Sequence, residues 1–434
     1  MDKIRDIAEY ALETLKKAGA DKASCLVSRS RKDEFSVEAN EFTLMRTLFS
    51  DSLNLKAITG GRKGVTVINK LDKESIAAAV ADCIALASSA SPDDAEDIAE
   101  KTENKSFSQN IGGADMDKLF SRTKDFLKQV RGECPKVVLE RMTTEFNGTQ
   151  ETYVNSNGVE FSNEAEYYQI LTEFSAKEGE KSASYNGYCA NLNSLDIPVI
   201  DLSMHRALLQ ESERSLDTRI VDGKFIGKVI LTPHCDDMIW QTIINEFLSS
   251  RVMVTGTSRW KDALGTKVAD SKLTMRAAPL NPAIVAGERF TADGFESRDI
   301  DLIKNGVLTS FALSLYGANK TGKPRAGNTA FDNIEVLPGE MPLAEMIKSV
   351  DRGILLNRFS GAQPGPGGDI SGVAKNSFLI ENGVITDAIQ ETMISFNIVD
   401  ILQNIPAISL ERSCNGIRLL PWCCFDGITI SGGN

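Results

Sequence analysis

The sequence predicts an α+β fold in two domains, a mixed helix and antiparallel-sheet domain over 1–222 and a domain dominated by antiparallel β-sheet with few helices over 223–434. Three observations predict it. The chain opens on helical spacing (Ile4, Ile7, Ala8, Ala11, Leu12, Leu15) and then switches to short β-like runs. A glycine-spaced connector, Val221-Asp222-Gly223-Lys224-Phe225-Ile226-Gly227-Lys228, marks a change of texture, and the domain boundary is placed there. Beyond it, two near-identical segments, Leu302 to Thr309 and Leu379 to Thr386, set Asn-Gly between apolar arms, the strongest short hairpin signal.

Taken in order, the first helix runs from about Lys3 to Lys17 and stops at Ala18-Gly19-Ala20, where glycine accepts the left-handed cap. Four short strands follow (Ser24 to Ser28, Glu34 to Val37, Leu53 to Ile58, Lys63 to Ile68), with Gly60-Gly61 as a turn. Lys73 to Ser88 returns to helical spacing. Ser89 to Ser106 is polar and acidic, the composition of an exposed surface loop. A helix is expected over Met116 to Val130, then a strand meander to Cys189 with its turn at Asn155-Ser156-Asn157-Gly158, and a long helix from about Ile200 to Leu216. Leu419 to Ile430 reads as a final buried strand, in which apolar neighbours make Cys423 and Cys424 inert.

Composition excludes several functions. With 60 acidic against 48 basic residues the net charge is -12, and no basic stripe is available to neutralise phosphates, so nucleic acid is not an expected partner. No apolar run approaches the roughly 18 residues a membrane span needs. The amino-terminal pattern is amphipathic, unlike the apolar core of a signal peptide, and the expected location is the cytoplasm. Eight cysteines without a C-x-x-C pair encode neither a zinc ribbon nor a thioredoxin couple and read as reduced, mostly buried thiols.

Only two histidines are present, His205 and His234. His205 lies in a helical stretch with no nucleophile or carboxylate at a telling spacing and reads as a surface or interface residue. His234 stands where a buried strand, Val229 to Leu231, runs into a helix: Thr232 suits the N-cap, Pro233 the first helical position, and Asp236 and Asp237 the positive end of the dipole. Trp240, Ile243, Ile244 and Phe247 then form an apolar stripe. A metal site would pair His234 with Asp237 and recruit Cys235 or a remote Cys414 or Cys424, but these residue types already suit a helix start.

The glycine-rich stretch Gly361 to Gly372 lacks the Lys-Ser/Thr of a phosphate loop and leads into a strand, so it reads as a loop over a cleft or a wide connection. Lys323-Pro324-Arg325-Ala326-Gly327-Asn328-Thr329 joins a fixed cation to a turn and an amide, a set suited to a peptide carboxylate or to a structural turn. Arg325, Asn328 and Asp369 are the candidate substrate-binding residues; no catalytic residue and no metal ligand are assigned.

In order along the chain stand the strand-to-helix segment, the Asp301 to Thr309 hairpin, Arg325-Ala326-Gly327-Asn328-Thr329 with Leu337-Pro338-Gly339, Leu379-Ile380-Glu381-Asn382-Gly383, and Ile428-Thr429-Ile430-Ser431-Gly432-Gly433. This order resembles the TldD/PmbA family, once named modulators of DNA gyrase, and within it the PmbA (TldE) branch. The resemblance implies a metallopeptidase complex acting on small or unfolded peptides, in which a TldD-type subunit carries an H-E-x-x-x-H motif and zinc. That motif would fall near Thr232-Pro233-His234-Cys235-Asp236-Asp237, and it is absent. The expectation is a non-catalytic subunit without a cofactor of its own that completes the cavity of a TldD-type partner in a homo- or hetero-oligomer. Two alternatives stay open: a stand-alone peptide-binding homo-oligomer with Gly361 to Gly372 and Arg325 lining a groove, and a peptidase with an unorthodox metal site at His234 and Asp237.

Overall fold

The computed structural model describes all residues except Met1, Asp2, Gln363 and Asn434, and all side chains among these except those of Asp236, Asp237 and Met238. The α+β class stands: two large sheets carry the chain, with helices gathered mainly on one face of the first.

The first sheet is built from β1 (Lys22–Glu38), β2 (Glu41–Thr59), β3 (Arg62–Ile68), β4 (Lys105–Gln109), β5 (Val137–Asn155) and β6 (Glu160–Glu178), in the order β3-β2-β1-β5-β6-β4, with the strand Asn186–Leu192 also on β6. β1 and β2 are single strands of 17 and 19 residues where three short ones were expected, and the fourth expected strand, Lys63 to Ile68, is present as β3. They turn at Ala39 and Asn40, both at positive φ, a tight turn built without glycine and so without the usual sequence signal.

Four helices cover one face of this sheet. On α1 (Ile4–Lys17) the stripe Ile7, Ala8, Ala11, Leu12 and Leu15 is buried, packing with α2 (Lys73–Ser89) on Cys25, Val27, Leu53 and Leu55. Asp72 caps α2 by accepting the Ser75 amide, and Asp115 caps α3 (Met116–Glu133) by accepting that of Lys118. α3 and α4 (His205–Arg214) bury Phe126, Val130, Leu208 and Leu209 against Phe35, Phe146 and Ile170. α4 is shorter than the helix expected over 200–216, because Val199–Asp201 forms a separate 3-10 turn.

The second sheet is organised around the strand Leu419–Ser431, which pairs antiparallel with Lys224–Leu231, Thr392–Asn397 and Ala407–Cys414 and touches Ile334–Val336 in parallel at one position. Antiparallel pairs dominate, but Lys228 to Leu231 runs parallel to Gly353 to Leu356. Both Asn-Gly hairpins are present: Asn305 and Gly306 have φ of 48° and 78°, Asn382 and Gly383 of 51° and 76°.

Two expectations are corrected. The acidic stretch is a strap rather than an exposed loop: Ala95, Glu96, Ile98 and Ala99 are buried, Glu96 pairs with Lys56 and Lys63, and Asp93 pairs with Lys320 and accepts from the Tyr316 hydroxyl. His205 is not at the surface. It is fully buried, stacked on Tyr188 and Phe126 at 4.6 and 4.8 Å, with Nδ1 2.9 Å from the Val199 carbonyl and Nε2 3.0 Å from Thr172 Oγ1. Helical spacing showed one face of α4 but not which side chain the sheet would seal.

Two titratable groups on α4, the buried His205 and the half-buried Glu211, have shifts of opposite sign. Desolvation lowers His205 from 6.5 to about 4, so its neutral ring contributes fully above 6.5, and that contribution is lost as pH falls through about 4. Desolvation raises Glu211 from 4.5 to about 7, although Arg214 and the Asn357 amide, which donates to Oε2 at 2.8 Å, oppose it. Its protonated form contributes fully below 4.5 and the benefit is lost as pH rises through about 7. Each shift corresponds to about 3 kcal/mol, and between 4.5 and 6.5 the two slopes cancel. Glu211→Gln is therefore expected to raise stability above neutral pH by up to about 3 kcal/mol and to uncover a fall between 6.5 and 4 in urea unfolding. A pH profile parallel to that of the unsubstituted chain would show that Glu211 does not hold a proton in the fold.

Candidate functional site

His234 reaches its position from the middle of the second sheet. Val229, Ile230 and Leu231 are buried between Gly353 to Leu356 and Cys423 to Phe425, and the Thr232 amide still donates to the Leu356 carbonyl. The expected single capped helix does not follow. Thr232 Oγ1 is buried without a hydrogen-bond partner, so its side chain caps nothing, and Pro233–Met238 is a 3-10 segment kinked at Cys235 (φ -97°, ψ 34°). A short α turn, Trp240–Thr242, leads into a π-helix, Ile243–Leu248. The predicted stripe of Trp240, Ile243, Ile244 and Phe247 is buried in full. π segments are rare and often occur at functional sites.

Two adjoining cavities of about 300 and 480 Å³ meet at His234 and Gly187. The smaller is walled by Leu171, Tyr188, Cys189, Ile417 and Arg418, the larger by Tyr185, Thr242, Arg358, Phe359 and Ser360. Walls thus come from both sheets. His234 Nε2 lies 3.0 Å from Asn186 Oδ1, which also accepts the Gly187 amide at 3.0 Å. Asn186 is fully buried, and its Nδ2 has no hydrogen-bond partner. Arg358 donates to the Tyr185 carbonyl at 2.7 Å with its guanidinium 5.0 Å from the Tyr185 ring centre. A cleft of mixed polar and apolar lining, with a few oriented amides and a fixed cation, suits an extended polar chain such as a peptide.

A backbone clasp closes the smaller cavity. The Asn191 amide donates to the Asn415 carbonyl at 2.8 Å, Asn415 Nδ2 to the Cys189 carbonyl at 3.2 Å, and the Val285 amide to the Gly416 carbonyl at 2.7 Å. Asn415 Oδ1 holds its own turn through the Ile417 and Arg418 amides. Gly416 has φ +77°, and a Cβ there would lie 1.9 Å from the Asn191 carbonyl oxygen.

Of the residues singled out from the sequence, His234, Cys235 and the start of the glycine-rich stretch (Gly361, Ala362 and Pro364) line this cleft, while Arg325, Asn328 and Asp369 are not among its walls. Arg325 is half-buried with its guanidinium 3.6 Å above the Phe295 ring, and Nη1 has no hydrogen-bond partner. Asn328 is fully buried and accepts the Arg298 amide at 3.0 Å, the geometry of a structural turn. Asp369 is exposed and accepts from Asn397 Nδ2 at 2.9 Å. Gly361 to Gly372 is the connection between Arg358–Gly361 and Asp369–Lys375, which pair antiparallel. The Asp237 side chain lies outside the described residues. Cys424 is sealed in a separate core cluster, Cys414 has its sulfur 3.4 Å from the Ala283 carbonyl, and both thiols are pushed up by burial. Asn186, Gly187 and Arg358 were missed, because nothing local in a strand and an Asn-Arg-Phe run signals a cleft formed between two sheets.

Residues 223–432 match the PmbA/TldA metallopeptidase C-terminal domain. Over 430 residues the chain is 23% identical to a metalloprotease PmbA homolog of Haemophilus influenzae, covering 94% of this chain and 91% of that protein. The part of this chain from 223 to 432 belongs to the PmbA/TldD family. A metalloprotease of Methanocaldococcus jannaschii is 24% identical over 223 residues, 49% of this chain, which spans about half of that relative's length (48%). In fold it is similar to TldE of Thermococcus kodakarensis, with a TM-score of 0.85, 20% identity, and 99% and 100% of the two chains covered.

For a PmbA/TldD chain the donor set at His234 does not fit the zinc of an H-E-x-x-x-H motif. The segment at 232–237 holds one histidine and no glutamate, the other histidine, on α4, is sealed against the first sheet, and among the described residues no three His, Cys, Asp or Glu side chains gather. The clasp makes a structural test available. Gly416→Ala is expected to cost roughly 2–4 kcal/mol, since clash adds to backbone strain, whereas Gly427→Ala, at φ +83° with nothing within 4 Å, is expected to cost about 1 kcal/mol. Equal losses in thermal unfolding would show that the clasp tolerates displacement.

Proposed function

We propose that this chain is a non-catalytic PmbA/TldE-like subunit of a cytoplasmic TldD/PmbA-type complex, holding a small or unfolded peptide in the cleft at His234 while a TldD-type partner bearing zinc supplies the hydrolytic chemistry. The observation that carries the reading is the placement of His234: it occupies the strand-to-3-10 junction between two cavities, where TldD-type chains are understood to carry their motif, yet its Nε2 faces an amide oxygen, Asn186 Oδ1. Metal-assisted hydrolysis needs ligands and a base that activates water. Here the chain's own groups bind and orient: Arg358 is a fixed cation beside the larger cavity, and the buried Asn186 Nδ2 is a donor without a partner. Arg325 and Asp369, each at least partly exposed, are kept as outer substrate contacts, with Asn328 supporting the Arg325 turn from inside.

The test mixes the purified chain with a TldD-type subunit and an unfolded peptide. The chain alone is expected to leave the peptide intact, the mixture to cleave it, and His234→Ala in this chain to leave the mixture's kcat within a few-fold. Arg358→Ala is expected to raise KM by roughly 10-fold with kcat held, the pattern of lost uniform binding. If the chain alone bound stoichiometric zinc and cleaved peptide, and His234→Ala abolished cleavage, the reading would fail in favour of a metal site at His234.

A further inference from the structure

We infer that Glu211 positions the wall of the larger cavity through its own proton: as a carboxylic acid it closes a two-point pair with the Asn357 carboxamide, and as a carboxylate it keeps only one of the two bonds. Asn357 is the corner at which the chain leaves the strand Arg352–Leu356, in the middle of the second sheet, and enters Arg358–Gly361. Arg358, Phe359, Ser360 and Gly361 all wall that cavity. This short strand has little else to hold it. Among the described residues it pairs only with Asp369–Lys375, four residues against four, so one of its sides carries no ladder.

Two contacts tie the corner to the first domain. At one, Arg358 Nη1 and Asn376 Nδ2 both donate to the Tyr185 carbonyl, at 2.7 and 2.9 Å, and neither donor titrates near neutral pH. At the other, Asn357 Nδ2 donates to Glu211 Oε2 at 2.8 Å. The backbone N–H of Asn357 is already taken, donating to Ser377 Oγ at 3.1 Å. Its Oδ1 is not: Asn357 is 1% exposed, and this oxygen is buried without a hydrogen-bond partner. Buried amide oxygens rarely stay so. An ionised carboxylate only accepts, whereas a protonated one carries the O–H donor that Oδ1 lacks. Acid and amide then meet through two parallel bonds, Nδ2–H to Oε2 and Oε1–H to Oδ1.

The surroundings of Glu211 leave the proton on it. Burial raises its carboxyl from 4.5 to about 7 against the opposing charge of Arg214, three residues further along α4. That guanidinium is engaged elsewhere, 4.4 Å above the Phe378 ring with Nη2 donating to the Thr386 carbonyl at 3.1 Å. Glu213 accepts the Lys136 backbone amide at 2.6 Å, Arg358 is held by Tyr185, and the second sheet meets Glu211 with the neutral Asn357. Glu211 is half-buried, so its proton exchanges with solvent. The sign follows from the raised value: the pair is complete in acid and is lost as pH rises through about 7, which leaves the strand on the Tyr185 contact.

The consequence, a weaker hold on peptide above neutral pH, rests on the proposed function, but the test does not. Hydrogen exchange over residues 357–361 of the full chain, corrected for intrinsic rates, is to be compared at about pH 5.5 and about pH 8.5. Protection is expected to fall roughly 3- to 10-fold at the higher pH, the worth of one hydrogen bond. Glu211→Gln, whose amide supplies the missing donor at every pH, is expected to keep the protection at both, and Glu211→Ala to lack it at both. An infrared band of a protonated carboxyl, titrating near 7 and absent from the Gln variant, is expected alongside. A Gln profile parallel to that of the unsubstituted chain, full protection in the Ala variant, or no protonated band in acid overturns the inference. Binding of a fluorescent peptide without ionisable groups is measured on the same samples. If it binds at no pH while protection follows the Glu211 proton, the proposed function fails and the positioning role stands; if it binds while protection is flat with pH, the reverse holds.

Discussion

The second sheet exists because the last strand of the chain returns to its centre. Leu419–Ser431 pairs with a strand, Lys224–Leu231, that begins about two hundred residues earlier, and Phe425, Ile428 and Ile430 are buried to within 1%. Each such side chain contributes roughly 1.5–3 kcal/mol by burial. The pairing of Phe225 with Ile430 closes a very long loop, and that entropy must be met before non-local contacts return anything. Everything at the candidate site hangs on this strand. It flanks the strand that delivers His234, and the loop leading into it supplies Asn415, Gly416 and Arg418.

The cleft is a property of two surfaces. Cross-strand registers place Leu44, Ser36, Thr143, Leu171 and Cys189 in one row across the first sheet, and Leu171 and Cys189 wall the smaller cavity. The opposite face holds the helices and the sealed His205. One strand, Asn186–Leu192, thus serves both purposes by its alternation: Tyr188 and Ala190 fill the core while Gly187, Cys189 and Asn191 meet the second sheet. Gly416 keeps the approach close where a side chain would collide with the Asn191 backbone.

Parts of this arrangement were legible in the sequence for local reasons. The Asn-Gly turns specify their own φ, the α1 and Trp240 stripes specify their buried faces, and the apolar neighbours of Cys423 and Cys424 specify inert thiols. The misses share a cause. Ala39 and Asn40 make a turn that carries no glycine, the acidic residues 93–97 find lysines from distant elements, and Thr232 continues a ladder with Leu356 when its composition suggested a cap. In each case a long-range partner overrode a local preference.

By itself the sequence determined the α+β class, the acidic surface, the order of the family-like segments and the scarcity of histidine, because these depend on composition and short-range periodicity. Only the tertiary structure decided that His205 is sealed under a helix while His234 opens onto a cleft, and that Asn186 and Arg358 face the same space. Nothing in the spacing of two histidines distinguishes them. Their difference is set by which face of which sheet each meets, and that follows from strand pairings that join residues far apart in the chain.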